Sequence, residues 1–108
     1  MMSISNMNAE NYRKYTQAET PVLVEFSAPW CVYCRRLAPA LEAVAEEYQD
    51  TLVFGAVNMD DEPELARSEE IEAVPTLLLY QNGQVLGSIV APESKAQLVA
   101  FIEETLQH

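Results

Sequence analysis

The run Val22-Leu23-Val24-Glu25-Phe26-Ser27-Ala28-Pro29-Trp30-Cys31-Val32-Tyr33-Cys34 decides how the rest of the chain reads. After Pro21, Val22 to Phe26 is apolar on both faces apart from Glu25, which predicts a strand buried within a sheet. A long helix is expected next, from about Cys31 to Gln49. At about 100° per residue, Cys34, Leu37, Ala38, Leu41, Val44, Ala45 and Tyr48 fall in one apolar stripe. Pro39 lies inside that helix and should kink it, because it lacks a backbone N–H.

The phase of the stripe separates the two sulfurs. It is centred near Cys34, which should therefore face the core. Cys31 is about 80° from the centre, at the first turn, and should be the more exposed of the two. It also sits where unpaired N–H groups and the positive end of the helix dipole converge. Both favour a thiolate, the nucleophilic form of a thiol whose ordinary pKa is roughly 8.5. Arg35 adds positive charge one turn on. Residues three apart on a helix can close a disulfide with a small local adjustment. Two cysteines that merely pack would be the plainer alternative, but a C-x-x-C that opens a helix after a buried strand is the context of a redox pair.

Outward from this segment, Met2 to Ser5 reads as a short edge strand and Asn8 to Gln17 as a polar helix capped by Asn6 or Asn8. Thr51 to Asn58 is the next strand, and Asp61-Glu62-Pro63-Glu64 starts a short helix reaching about Ser68. Thr76 to Tyr80 and Val85 to Val90 are strands joined by a tight turn at Asn82-Gly83. Ser94 and Gln97 form a capping box for a last helix that buries Leu98, Phe101, Ile102 and Leu106. The order β-α-β-α-β-α-β-β-α implies an α/β fold, a mixed sheet with parallel central strands and helices on both faces.

The chain has 108 residues, enough for one domain spanning 1–108 with a core that needs no staples. Seventeen acidic against six basic residues give a formal net charge of −11, a surface that repels nucleic acid and anionic lipid. Two of those six bases, Arg35 and Arg36, directly follow Cys34. No apolar run approaches the roughly 20 residues of a membrane helix, and no secretory signal is visible at the start, so a cytoplasmic protein is expected. With only two cysteines and one histidine, His108, no four-Cys zinc site can form within one chain.

Phe26-Ser27-Ala28-Pro29-Trp30-Cys31-Val32-Tyr33-Cys34, Leu37-Ala38-Pro39, Asn58-Met59-Asp60, Val74-Pro75-Thr76 and Asn82-Gly83, in this order and spacing, resemble the thioredoxin family. The resemblance covers nearly the whole chain. It implies a thioredoxin fold, a central mixed β-sheet flanked by four helices, and dithiol–disulfide exchange on protein substrates. It makes Cys31 the attacking sulfur and Cys34 the resolving one. It puts the Glu25 carboxyl beneath Cys34 as a proton carrier, and burial there should raise its pKa. It makes Pro75 a cis proline facing the cysteines, leaving the Val74 backbone free to pair with an extended substrate. Trp30, Val74 and the loop around Ala91 become an apolar docking rim, and Tyr33, on the exposed side of the motif, touches substrate. No cofactor beyond the Cys31–Cys34 disulfide is implied. The partners implied are disulfide-containing proteins and a flavin-dependent thioredoxin reductase, with a monomer as the default state.

Four positions depart from the family pattern. Val32-Tyr33 replaces Gly-Pro, Glu25 replaces Asp, Ala56 replaces a Lys that pairs with that acid, and Ala91 replaces Gly. The first bears on redox poise, and the loss of the cation pushes the acid's pKa further up. A thiol oxidant or isomerase, a redox-quiet binding module and a metal-sharing dimer are the competing readings of the same motif.

Overall fold

The computed structural model describes residues 4–107. Nine elements follow in the predicted order: β1 (Ile4–Asn6), α1 (Tyr12–Thr16), β2 (Val22–Ser27), α2 (Val32–Glu47), β3 (Val53–Asn58), α3 (Pro63–Ser68), β4 (Thr76–Gln81), β5 (Gln84–Val90) and α4 (Lys95–Leu106). Met2 and Ser3, counted in the expected first strand, lie outside the described residues, as does His108.

The five strands form one sheet in the order β1-β3-β2-β4-β5. β3 pairs in parallel with both β1 and β2, and β4 runs antiparallel to β2 and to β5. This is the mixed sheet expected from strand–helix alternation that ends in a hairpin. Asn82 and Gly83 both take positive φ, 54° and 81°, as a two-residue turn between twisted strands requires.

Each face of the sheet buries its own apolar cluster. Leu23, Phe54, Leu77 and Leu79 meet Leu37, Leu41, Val44 and Ala45 of α2 and Leu98 and Ile102 of α4. On the other face Val22, Val24, Phe26, Val57 and Leu78 pack with Tyr12 of α1, and Leu65 of α3 borders them. Leu98 and Ile102 are wholly buried, each stabilising the fold by about 1.5–3 kcal/mol relative to exposure. Alternation along β2 therefore puts Leu23 and Glu25 on the face that carries α2.

Three local expectations are corrected. Ala38, placed in the buried stripe of α2, is exposed, and Ala40 packs on the core instead. The stripe is rotated toward α4, whose side chains cover that flank. The first helix is shorter than Asn8 to Gln17, because residues 9–11 form a turn. Asn8 Oδ1 accepts the N–H groups of Glu10 and Asn11, so Asn8 caps that turn instead of the helix. At the other end of the chain the Ser94 hydroxyl accepts Gln97 N–H as expected, but Gln97 Oε1 accepts the N–H of Glu93, one residue earlier than a capping box demands. Pro39 stands within α2 without ending it.

Candidate active site

β2 runs into the loop of Ala28, Pro29 and Trp30, and that loop delivers Cys31 to the N-terminus of α2. Cys31 is the N-cap: its backbone is extended, and its Sγ accepts the Cys34 N–H at 3.1 Å. Cys31 and Cys34 are joined as a disulfide with their Cα atoms 5.3 Å apart. A sulfur at an N-cap takes up an otherwise orphan donor and sits in the positive field of the helix end, which is the electrostatic setting a thiolate needs.

The expected difference in solvent exposure is absent. Cys31 is 5% exposed and Cys34 7%, so in this oxidised pair both sulfur residues are buried to the same degree. The helical-wheel reading placed Cys31 in the first turn, whereas its extended N-cap backbone and its bond to Cys34 fold the side chain inward. Ala28 and Val74 pack against the pair. What distinguishes the sulfurs is their place on the helix: Cys31 at the cap, Cys34 inside the first turn.

The Val74–Pro75 bond is cis and Pro75 is buried. Val74 lies two residues before Thr76, the first paired residue of β4. The Ala91 N–H donates to the Pro75 carbonyl at 2.8 Å, tying the loop after β5 to the proline loop. Ala91 does so with φ 48°, in the left-handed region where a Cβ is disfavoured. The departure from glycine at this position is thus accommodated without changing the backbone shape that glycine favours.

Trp30 and Tyr33 are 66% and 64% exposed, so neither is a core aromatic. Trp30 Nε1 donates to Asp60 Oδ1 at 3.3 Å, and Asn58 Oδ1 in turn accepts the Asp60 N–H. Asn58-Met59-Asp60 therefore orients the tryptophan, a connection between segments that no local pattern displays. Arg35 donates to the Pro29 carbonyl at 3.1 Å, and the Arg36 guanidinium lies 5.7 Å from the centre of the Tyr33 ring.

Glu25 is buried, and burial pushes its pKa from 4.5 up to about 7. In register it faces Ala56 on β3 and Leu77 on β4, so neither neighbouring strand offers a cation. The raised pKa expected for this carboxyl is what its surroundings produce. Among the described residues no group of three or more His, Cys, Asp or Glu is arranged to hold a metal ion. Nor is any described helix long and apolar enough to cross a membrane.

The Thioredoxin family model matches residues 3–104. A thioredoxin of Acidithiobacillus ferridurans is 41% identical over 83% of this chain and 83% of its own length. A thioredoxin of Alicyclobacillus acidocaldarius subsp. acidocaldarius is 36% identical over 90% of this chain and 92% of its own. The crystal structure of a Malassezia sympodialis thioredoxin superposes with a TM-score of 0.88 over 97% of this chain and 92% of that one, at 24% identity, a likeness of fold.

Proposed function

The chain belongs to the thioredoxin family, and from that premise we propose how its two sulfurs and its buried carboxyl divide the work. The activity itself is thiol–disulfide oxidoreduction, the reduction of protein disulfides. In the reduced form the Cys31 thiolate attacks one sulfur of a substrate disulfide. A Cys31–substrate disulfide forms, and the other substrate sulfur leaves as a thiolate. Glu25 then takes the proton of the Cys34 thiol. The Cys34 thiolate attacks Cys31 Sγ, the second substrate sulfur leaves and is protonated, and the Cys31–Cys34 disulfide remains. Two electrons have passed from the pair to the substrate.

The observation that carries this assignment is the N-cap geometry, Cys31 Sγ accepting the Cys34 N–H at the start of α2. It holds negative charge on Cys31 and leaves Cys34 to act second. Glu25 suits the proton transfer because a base works best with a pKa near the operating pH. Val74 and the cis Pro75 present a backbone edge to an extended substrate segment, with Trp30, Tyr33 and Ala91 around it. The disulfide recovers its electrons from a flavin-dependent reductase, no further cofactor is needed, and the protein works as a cytoplasmic monomer.

Insulin reduction with dithiothreitol as electron source tests the roles. Cys31→Ser should fall to the rate of dithiothreitol alone. Serine is itself a good N-cap, so the fold survives and the loss is chemical. Iodoacetamide at neutral pH should label Cys31 of the reduced wild type first; preferential labelling of Cys34 would reverse the assignment. The reduction potential of the pair fixes direction: an oxidising value would make this an oxidant in place of a reductant.

A further inference from the structure

An open groove of about 400 Å³ begins at Tyr33, between the two cysteines in sequence. Leu37, Ala40 and Pro92 give it apolar lining, and Tyr33 and Arg36 border it. It starts within the C-x-x-C segment and ends at the loop that Ala91 ties to Pro75.

One cation stands on this groove, Arg36. The chain carries seventeen acids against six bases. Among the described residues the one ion pair is Lys95 with Glu47; Lys95 lies two residues beyond Glu93 of the groove, and Glu47 is at the far end of α2. Arg36 has no acidic partner there. Its guanidinium lies 5.7 Å from the centre of the Tyr33 ring, within reach of a cation–π contact. A guanidinium without an acidic partner, on a groove that begins in the C-x-x-C segment, can pair with a carboxylate of a bound segment. Glu93 stands on the groove as well and repels a carboxylate at its own end. The lining therefore offers one basic and one acidic group among apolar side chains, and an acidic side chain fits it toward Arg36.

We propose that this groove is a specificity site, which takes the substrate segment on one side of the attacked cysteine and selects an acidic residue there through Arg36. It rests on the disulfide-reductase reading above. The apolar lining accepts the stem of the same or an adjacent side chain. The substrates so chosen are disulfide proteins with Asp or Glu a few residues from the reactive cysteine. The long-range field of a −11 protein repels such segments wherever the acid lies. A preference that depends on placement is therefore the signature of a local contact.

The test uses disulfide-linked peptides of one sequence, reduced by the full chain with dithiothreitol as electron source. One position two residues from the cysteine carries Glu, Gln or Lys. A second set carries the same three on the other side of the cysteine. The expected result is a preference of about three- to tenfold in kcat/KM for Glu over Gln at one placement only, in low salt. It should shrink toward unity in high salt. Arg36→Gln should erase it, and Arg36→Lys should keep part of it. Equal kcat/KM for Glu and Gln at both placements would overturn the proposal, as would a preference that survives Arg36→Gln. Failure to cleave any of the peptides would instead remove the reductase reading, a separate outcome.

Discussion

In the proposed mechanism the sulfur pair works between two surfaces of opposite character. Above it, the N-terminus of α2 offers the Cys34 N–H to Cys31 Sγ and the positive end of a helix 16 residues long. Below it, β2 offers Glu25 in an apolar setting with Ala56 and Leu77 as its cross-strand neighbours. The helix end favours an anion, and the sheet disfavours one. In that mechanism the helix end serves Cys31 and the buried carboxyl serves Cys34. A carboxyl raised toward neutrality can take the Cys34 proton and give it back near the operating pH.

The sharpest way to break this comparison is to remove one sulfur at a time. Cys34→Ser leaves the helix-end nucleophile in place but takes away the group that Glu25 serves. Catalytic turnover should vanish while Cys31 still reacts. A stable mixed disulfide with substrate should accumulate, visible as a mass increase lost on adding dithiothreitol. If instead Cys34→Ser turned over like wild type, the division of labour between the two surfaces would be wrong.

Removing the carboxyl is the next largest change. Glu25→Gln should slow release of the mixed disulfide by about two orders of magnitude at neutral pH, the low end of the range for a lost general base. It should also erase any inflection near pH 7 in that step. The same substitution has a stability signature. The folded pKa, about 7, lies above the unfolded value of 4.5. A carboxyl raised on folding contributes its full stability below about 4.5 and loses it as pH rises through about 7. The loss is on the order of 3 kcal/mol. Denaturant unfolding at pH 5 and pH 8 should show this decline in the wild type and a much flatter profile in Glu25→Gln.

Much of this was readable from residue order. The buried strand, the long helix with its sulfurs three apart, and the Asn82-Gly83 hairpin all have short-range signals, and each element forms where its signal lies. The raised pKa of Glu25 was readable too, because one acid in an apolar strand has few ways to be solvated. The burial of Cys31 was not. A helical wheel assumes helical backbone from its first residue, and the N-cap is the one position where that fails. The tie from Trp30 to Asp60 joins segments 30 residues apart, and the face of α2 that turns inward depends on where α4 docks. Glu70 is a further case: with φ 58° it closes α3, its N–H bonded to Arg67 O and that of Ile71 to Ala66 O, a helix ending that usually announces itself with glycine.

Ala56→Lys would sharpen the comparison by making the lower surface more like the upper. Residue 56 faces Glu25 in register on β3, so a lysine there brings an ammonium toward the carboxyl. The Glu25 pKa should fall, by about one unit or more if the charges meet. The pH profile of mixed-disulfide release should move to lower pH with it, and the decline in stability between pH 5 and pH 8 should shrink. A profile that stayed in place would mean the lysine turns to solvent, or that another group sets the inflection. Following the Glu25 carboxyl by carbon-13 NMR separates these, since only the second leaves its titration shifted and the rate profile not.

The smallest effect tests the upper surface. Arg35 is exposed and holds its guanidinium on the Pro29 carbonyl, one turn from Cys31. Its charge adds to the helix end through solvent, so its share is modest and screened by salt. Arg35→Gln should slow alkylation of Cys31 about twofold in the reduced protein at neutral pH and low ionic strength. Near 1 M salt, where the screening length is only about 3 Å, the two proteins should react alike. The backbone N–H that Cys31 Sγ accepts is untouched by either change, so most of the reactivity should remain. A loss much beyond twofold, persisting in salt, would place the decisive charge on the arginine and demote the helix terminus to a minor role.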